Sequence, residues 1–449
     1  MLSFALGLWG VRRGGTMWRD ETVSYAMARR SLSDLWPTLA QVDAVHGLYY
    51  LLLHGLFRVF ADADPLLVLR LPSVLATAAA SGTLALLGSR LAGPRVGLLA
   101  GVVFAVLPPV QRYAQEGRSY ALVCALVVWA SYLLVRAVQT RSRGFWAGYG
   151  AVALSACLLH EFAVLALVAH VVALPRAARG TGVRVALAVC CGLAPLAVLS
   201  ARQSEQVAWI GGVETGALVG FAGVTVLGVA CAALLGRVPR GSQVGLPALA
   251  LSLLALPALL LLLATPLKPL YVDRYVLYGH TGTALLLGAA LDRLLHTRGR
   301  ALCLVAAGSA VLALLPLTLD LRTPQSRTDD VAAIARALRE TEADGVVYMP
   351  SRRRVWSQTA LSPLPDLALD RDPAASRTLY GTEAPASVIR ARLLHATRVV
   401  ALRDPAGQPL DRTAQEEVKR QVLATYFAEC GTRRVHGARI TVYARPGGC

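Results

Sequence analysis

Residues 66–91 read LLVLRLPSVLATAAASGTLALLGSRL, an apolar run that contains few charges. A helix needs about 20 apolar residues to cross the hydrocarbon layer of a membrane. The run therefore predicts a membrane-spanning helix. Similar runs recur through the first 320 residues, and with a short first helix at 2–11 they predict about eleven spans. Besides 66–91, the predicted spans lie at 96–110, 120–138, 145–159, 162–174, 183–200, 217–235, 244–265, 275–295 and 301–319.

The composition supports a membrane protein and excludes a nucleic-acid-binding one. Of the 449 residues, 55% are hydrophobic and 16% are charged, against the roughly 25% charged residues of soluble proteins. The net charge of +18 would fit nucleic acid only if a folded domain carried a basic face. Here the arginines fall between apolar runs, where they orient a chain in the membrane.

Arginine is concentrated in the linkers on one side of the predicted spans. Asp292 is the acid in those linkers, whereas the alternate linkers hold acids and bases in balance. The positive-inside rule makes the arginine-rich side cytoplasmic. This topology treats 49–60 as an amphipathic helix at the interface and places the loop 16–65 outside the cytoplasm. The arginines are Arg90, Arg95, Arg136, Arg141, Arg143, Arg176, Arg179, Arg184, Arg237, Arg240, Arg293, Arg298 and Arg300.

The sequence becomes mixed and polar after residue 320. Its patterns predict helices at 329–340 and 413–426 and strands at 345–349, 397–402 and 439–444. Residues 321–449 are therefore expected to form a small extracytoplasmic α/β domain. The expected fold class is an α-helical polytopic protein of the plasma membrane with this C-terminal domain. Cys430 and Cys449 either form a disulfide in an oxidising compartment or stay free.

Two predicted external loops carry acidic residues that suit catalysis. Asp20 and Glu21 follow the first helix, and carboxylates at this position can act as general bases. Alternatively, they stabilise the first turn of a helix at 22–30 through its dipole. Glu116, close to Arg118 in the next acidic loop, is either part of a site or a member of a solvated cluster.

Cations on the same predicted side suit a phosphate. Lys268 and Arg274 share a third external loop and could bind a phosphate leaving group, or they extend from helix ends towards the interface. Arg70, near the outer boundary of the 66–91 span, is a further candidate. His160, at another external turn, either joins the site or has a structural role.

Four short segments, taken in order, carry a family resemblance. They are RDE at 19–21, HGLYYLLL at 46–53, LRLPS at 69–73 and RYAQEGRSYAL at 112–122. Together they resemble the GT-C superfamily, specifically its protein-mannosyltransferase and aminoarabinose-transferase-like branch. The resemblance implies that residues 1–320 form a transmembrane catalytic domain. It also implies an inverting hexosyltransferase that takes one sugar, mannose among the commoner cases, from a polyprenyl-phosphate carrier on the external face.

The resemblance also implies roles for individual residues. Asp20 is implied as the catalytic base with Glu21 as its neighbour, and Glu116 as the acid of the second loop. His46 is implied as a phosphate ligand, although its segment reads HGL where relatives often read His-Pro-Pro. The late Arg-Tyr pair of the family corresponds to Arg274 and Tyr275. The full predicted substrate-binding set is His46, Arg70, Arg118, Lys268, Arg274 and Tyr275.

Other functions remain open on the sequence alone. A transporter or flippase of lipid-linked sugars would also be polytopic, but it typically shows repeats and polar groups at the membrane midplane. A ligase or polymerase of surface polysaccharide would share the external chemistry, and the acceptor could be a glycan, a lipid or a protein. A divalent cation bridging Asp20, Glu116 and phosphate is conceivable, but few dedicated ligands are present.

Overall fold

The structure is a computed structural model that describes residues 1–204, 211–236, 243–297, 299–359 and 364–449, so Arg237, Arg240 and Arg298 lie outside the described residues. Its α-helices are α1 (Leu2–Leu8), α2 (Arg19–Ala28), α3 (Leu32–Leu39), α4 (Gly47–Val59), α5 (Pro65–Ala92), α6 (Pro94–Val106), α7 (Pro108–Ala114), α8 (Tyr120–Thr140), α9 (Arg143–Leu159), α10 (Val164–Ala173), α11 (Arg176–Arg202), α12 (Thr215–Leu235), α13 (Leu246–Ala264), α14 (Gly279–Leu295), α15 (Arg300–Asp320), α16 (Val331–Arg339), α17 (Ala386–His395) and α18 (Ala414–Tyr426). Its strands are β1 (Gly345–Met349), β2 (Leu369–Arg371), β3 (Thr382–Glu383), β4 (Arg398–Arg403), β5 (Ala428–Val435) and β6 (Ala438–Ala444).

The long apolar helices precede residue 321, as predicted. Among the described residues, 6 helices are long and apolar enough to span a membrane, namely α5, α8, α11, α12, α13 and α15, and the bent pair α6 and α7 would make a seventh span. The predicted fold class, a polytopic α-helical protein with a small C-terminal α/β region, is confirmed. The predicted count of about eleven spans is not, because helices such as α1 and α10 are shorter than a full crossing requires.

The predicted span at 96–110 is broken near its end. α6 ends at Val106, Leu107 has an extended backbone with ψ 124°, and α7 begins at Pro108 with its axis bent by 66°. Proline restricts the preceding residue to extended conformations and has no N–H to donate. Pro108 therefore turns the chain into the short helix α7, which leads into the loop that carries Glu116.

Internal contacts divide the chain into two compact units. We call Met1–Val11, Asp43–Tyr49 and Arg70–Leu321 the helical unit, and Arg12–Val42, Tyr50–Leu69 and Arg322–Cys449 the mixed unit. The segment that follows α1 thus belongs with the C-terminal sequence. α15 ends at Asp320, where the apolar sequence ends. The assignment of 1–320 and 321–449 as functional domains stays a prediction.

Helices of the helical unit approach each other closely at glycines. A Cβ added to Gly97 of α6 would lie 2.1 Å from the carbonyl oxygen of Ala85 in α5. A Cβ added to Gly282 of α14 would lie 2.1 Å from the carbonyl oxygen of Ala250 in α13. Small residues at such crossings allow the backbone contact that holds helices together in lipid.

A buried polar junction joins three other helices of this unit. His170 of α10 forms hydrogen bonds through Nε2 with Ser131 Oγ of α8 at 2.8 Å and through Nδ1 with Tyr149 Oη of α9 at 3.1 Å. Both partners are buried. Interhelical hydrogen bonds of this kind fix the relative position of helices in a membrane, so we assign the junction a structural role.

The mixed unit contains a four-stranded sheet with strand order β1-β4-β6-β5. β1 and β4 are parallel, whereas β6 pairs antiparallel with β4 and with β5. Helices α17 and α18 cover one face around Ile389, Leu393 and Val422, which are buried. Cys430 in β5 and Cys449 at the chain end form a disulfide, one of the two alternatives that the sequence left open.

Candidate active site

Two side chains meet at turns of the helical unit. His46 ends the 3-10 turn Ala44–His46, and Arg118 lies in the loop between α7 and α8. Arg118 Nη2 donates a hydrogen bond to His46 Nε2 at 2.6 Å, and both side chains are buried. Because arginine has no acceptor atom, His46 accepts at Nε2 and carries its proton on Nδ1. The histidine is therefore neutral and holds the guanidinium in place.

Buried hydrogen bonds fix the loop that carries Arg118. Ser73 Oγ of α5 donates to the carbonyl oxygens of Glu116 at 2.7 Å and of Arg118 at 3.2 Å. Gln115 Nε2 donates to two carbonyl oxygens at the end of α1, at 2.8 and 2.6 Å. Since buried backbone groups must be paired, these bonds define the path of the loop. They thereby define where Arg118 lies.

Aromatic rings pack beside this pair. The ring centroid of His160 lies 4.7 Å from that of Tyr275, 5.6 Å from that of Tyr120 and 5.6 Å from that of His46. Arg274 Cζ lies 5.8 Å from the Tyr120 centroid and 5.7 Å from the Tyr275 centroid, distances typical of cation–π contacts. We call this group the cationic-aromatic cluster, and its members are His46, Arg118, Tyr120, His160, Arg274 and Tyr275.

Hydrogen bonds also position Arg274. Its Nε donates to Tyr120 Oη at 3.1 Å. The neighbouring Asp273 accepts the backbone N–H of Arg274 at 2.8 Å and, through both carboxylate oxygens, the hydroxyl of Tyr113 at 3.2 Å. The chain before Arg274 is therefore tied to α7, and its guanidinium is tied to the start of α8.

Burial and positive charge keep both histidines of the cluster neutral. Burial first, and then Arg118 and Arg274, lower the pKa of His46 well below 6.5. Burial is also the main cause of the lowered pKa of His160, with smaller effects from His46 and the same two arginines. The charge of the cluster therefore comes from Arg118 and Arg274. The guanidinium groups of two arginines suit the oxygens of an anion such as a phosphate or a carboxylate.

We expect the protein to lose stability as the pH falls. The unfolded chain binds protons at His46 and His160 below about pH 6.5, and the folded protein does not, so a fall in pH below this value favours unfolding. Melting temperature in detergent, measured between about pH 7 and pH 5, should fall less steeply for His160→Gln. The exposed His296→Gln is the control and should keep the wild-type slope. An unchanged slope in His160→Gln would contradict the expectation.

Three predicted site residues of the helical unit, Glu116, Arg70 and Lys268, are not members of the cationic-aromatic cluster. Glu116 is buried. Arg70 is fully buried, and its Nη1 donates to the carbonyl oxygen of Val11 at 2.6 Å, which anchors the chain that follows α1. Lys268 is exposed in the loop that follows α13. The anchoring contact explains Arg70 structurally, and its role as a phosphate ligand, like that of Lys268, stays a prediction.

Asp20 and Glu21 open α2 in the mixed unit, and their surroundings differ. Glu21 is fully buried and accepts a hydrogen bond from Arg13 Nη2 at 2.7 Å, within a buried ion pair. Asp20 is half-buried at the second position of the helix. A buried carboxylate paired with arginine is held in place by that pair. Glu21 therefore serves best as an anchor for α2, which leaves Asp20 as the stronger candidate base.

Glu21→Gln is expected to lower stability more than catalysis. Glutamine keeps the shape of the side chain but removes the negative charge from the buried ion pair with Arg13, so the free energy of unfolding should fall by about 1–3 kcal/mol. Thermal melting would measure this loss, and kcat per folded molecule should stay close to that of the wild type. Asp64→Asn, which removes the partly exposed pair with Arg12, is the control and should change little. A large loss of kcat at unchanged stability would instead make Glu21 catalytic.

Comparisons with known proteins identify the architecture. Residues 48–200 match the family model described as dolichyl-phosphate-mannose-protein mannosyltransferase. The chain is similar to the crystal structure of ArnT from Cupriavidus metallidurans bound to undecaprenyl phosphate, with TM-score 0.61, 13% identity and coverage of 98% of this chain and 96% of that chain. This chain has the GT-C fold. The apo form of the same ArnT gives TM-score 0.58, 12% identity and coverage of 95% and 93%. A comparison with curated proteins finds no match.

The GT-C resemblance inferred from the sequence is thereby confirmed, and the predicted class of enzyme, a glycosyltransferase, agrees with the family match. The matched region includes Arg118, Tyr120 and His160 of the cationic-aromatic cluster. His46 lies before that region and Arg274 lies after it. The cluster is therefore assembled from both matched and unmatched parts of the sequence.

The predicted site residues do not include Tyr120 of the cationic-aromatic cluster. Tyr120 begins the predicted span at 120–138, and the sequence assigns His160 either to the site or to a structural role. Both residues stand at the ends of predicted spans on the predicted external side. That position is a weak signal, because tyrosine also accumulates at membrane interfaces in general. Their packing against Tyr275 and against each other shows that they belong to one cluster.

Metal binding is not indicated by side-chain clustering. In the part of the chain that the structure describes, no group of three or more His, Cys, Asp and Glu side chains is arranged to hold a metal ion. Glu116 and Asp20 were the residues predicted to bridge a divalent cation to phosphate. That cation stays a prediction, and no step proposed below requires it.

Proposed function

We propose that this chain is an inverting glycosyltransferase that moves a single sugar from a polyprenyl-phosphate carrier to an acceptor hydroxyl outside the cytoplasm. The observation that carries the proposal is the cationic-aromatic cluster of the helical unit. Arginines suit phosphate oxygens, and neighbouring aromatic faces offer apolar contact to a sugar ring. Mannose is the first sugar to test, because the description of the matching family names it.

In this proposal the cluster receives the departing phosphate. Arg118 and Arg274 donate to its oxygens and stabilise the negative charge that grows as the bond to the sugar breaks. His46 contributes indirectly, because its hydrogen bond at 2.6 Å orients Arg118. Tyr120 has the corresponding role for Arg274, at 3.1 Å. Two charges held in advance need little reorganisation during the reaction.

We assign activation of the acceptor to Asp20, as the GT-C resemblance implies. Its carboxylate takes the proton of the acceptor hydroxyl while the acceptor oxygen attacks the anomeric carbon. The bond between that carbon and the phosphate oxygen breaks, and its electron pair leaves with the phosphate. Attack from the face opposite the phosphate inverts the anomeric centre. In this scheme Glu21 anchors the helix through Arg13 and exchanges no proton.

Further observations support the carrier and the side of the membrane. The similar ArnT structure contains undecaprenyl phosphate, which supports a polyprenyl phosphate as the donor carrier here. By the positive-inside rule, the arginine-rich linkers lie in the cytoplasm. This supports an extracytoplasmic location for the alternate loops, which include the loop with Arg118. The acceptor is proposed only as a hydroxyl of a glycan, lipid or protein.

The proposal is tested by carrier release in sealed vesicles of defined orientation. Wild type and Asp20→Asn would be supplied with a panel of polyprenyl-phosphate monosaccharides and with acceptor extract on one side at a time. We expect release of polyprenyl phosphate from one donor, only on the extracytoplasmic side, and none from Asp20→Asn. No release from any donor would overturn the proposal. Transfer of preassembled chains would favour a ligase, and movement of uncleaved donor across the membrane would favour a flippase.

A further inference from the structure

The helix that carries Asp20 lacks a capping side chain of its own. Trp18 stands at the N-cap of α2 and forms no capping hydrogen bond there. Instead, Asp329 Oδ1 accepts the backbone N–H of Arg19 at 2.9 Å, from a position 310 residues further along the chain. A carboxylate at a helix N-terminus satisfies an unpaired N–H and favours the helix dipole. The start of α2 is therefore set by the C-terminal sequence.

The residues before Arg19 are tied to the same place. Thr16 Oγ1 donates to Asp330 Oδ1 at 2.7 Å and accepts the N–H of Ala332 at 3.1 Å. The N–H of Val331 donates to the carbonyl oxygen of Met17 at 3.2 Å. All these bonds lie inside the mixed unit. The chain leading to Asp20 thus follows the N-terminal end of α16 closely.

Asp329 is itself held from several sides. Its carboxylate is 1% exposed and accepts a hydrogen bond from Trp356 Nε1 at 3.0 Å, and Trp356 is fully buried. Arg19 Nε lies 3.7 Å from the same oxygen. Gly437, with φ +84°, packs so closely that an added Cβ would lie 2.3 Å from the Asp329 Cβ. The β5–β6 hairpin and the turn with Trp356 therefore fix this carboxylate.

We infer that Asp329 is a positioning residue for Asp20, and that the C-terminal α/β sequence serves the reaction by fixing the start of α2. The inference rests on the proposed function, in which Asp20 is the base. It assigns the C-terminal sequence a role in the geometry of catalysis. Asp329 needs no contact with the substrate for this role, because it acts through the backbone of Arg19. Small displacements of a catalytic group are sufficient to lower kcat strongly.

Graded variants test the inference by their effect on kcat and KM. Asp329→Asn should lower kcat by about 10- to 100-fold with the donor KM unchanged, since the base is displaced but the donor site is intact. Trp356→Phe keeps a ring but removes the Nε1 donor, and it should cause a smaller loss of the same kind. Asp344→Asn is the matched control, because Asp344 accepts the N–H groups of Thr397 and Arg398 in the same sheet region. It should leave kcat unchanged.

A second background separates this inference from the proposed function. In Asp20→Glu the carboxylate is already displaced by one methylene, so Asp329→Asn should cost clearly less there than in the wild type. An equal loss in both backgrounds, or an equal loss in Asp344→Asn, would overturn the positioning role. Normal kcat in Asp329→Asn and Trp356→Phe would also overturn it while leaving the proposed function intact. Activity of Asp20→Asn near the wild-type level would contradict both the positioning role of Asp329 and the proposed role of Asp20 as the base.

Discussion

Asp20→Asn is expected to abolish sugar transfer while expression and donor binding stay near wild-type levels. Asparagine has nearly the same shape as aspartate but cannot accept the proton of the acceptor hydroxyl. The loss of a general base typically lowers kcat by about 10²- to 10⁴-fold. Carrier release under saturating donor would measure kcat, and binding of polyprenyl phosphate to the purified variant would measure the donor site.

The matched control for this variant is Asp62→Asn. Asp62 is an exposed aspartate of the same unit, so its loss changes the charge equally without touching α2. Its kcat should equal that of the wild type. If Asp20→Asn kept near-normal turnover, Asp20 would not be the base, and an acid of another loop, such as Glu116, would have to be considered.

Arg274→Ala is expected to weaken use of the phosphate-linked donor. The variant removes one of the two arginines in the cluster, together with its hydrogen bond to Tyr120. A charge-assisted hydrogen bond contributes about 1.5–3 kcal/mol, so kcat/KM for the donor should fall by roughly 10- to 100-fold. Steady-state kinetics with varied donor concentration would measure the fall. Because Arg274 contacts aromatic rings and its guanidinium is planar, Arg274→Lys should restore only part of the loss.

Arg293→Ala provides the comparison for this effect. Arg293 is an exposed arginine at the other end of α14, and its Nη1 donates to the carbonyl oxygen of Leu235 at 3.1 Å. Its removal changes the net charge by the same amount and should leave donor kinetics unchanged. Unchanged donor kinetics in Arg274→Ala would remove Arg274 from the site.

The C-terminal sheet shows which elements a sequence pattern reveals. The strand predicted at 345–349 is β1, and the strand predicted at 397–402 differs from β4 by one residue at each end. Both are short apolar runs buried in the sheet. β5 was missed, because an edge strand paired with β6 alone carries polar residues such as Arg433 and Arg434 without cost. The residues of β5 are mostly exposed, so its sequence lacks the apolar pattern that a buried strand shows.

The membrane helices show a second limit of sequence reasoning. Hydropathy located the apolar runs, but it did not distinguish a full crossing from a shorter helix such as α10. The proline pair at 108 and 109 lies within the predicted span at 96–110. Its effect on direction, the 66° bend into α7, depends on how the chain packs after the break. Hydropathy therefore predicts where an apolar helix lies in the sequence. The direction of its axis depends on tertiary contacts.

The site shows a third limit. Asp20 and Glu21 are adjacent in sequence and read as an equivalent pair, yet Glu21 is fully buried in an ion pair with Arg13 and Asp20 is half-buried. His46 and Arg118 were each predicted to bind phosphate, but their mutual hydrogen bond is a tertiary contact that no local pattern encodes. The residue types of the cluster were therefore predictable, whereas the side of the membrane stays a prediction. The different roles of these residues could not be predicted from the sequence.

The most direct test of the account is a structure of the protein with polyprenyl phosphate bound, determined by cryo-electron microscopy in lipid nanodiscs. The account predicts that the phosphate lies within hydrogen-bonding distance, about 3 Å, of the guanidinium groups of Arg118 and Arg274. It also predicts that this density is lost in Arg274→Ala. A phosphate bound at Lys268 or among the arginines of the opposite side, with no density at Arg118 and Arg274, would contradict it.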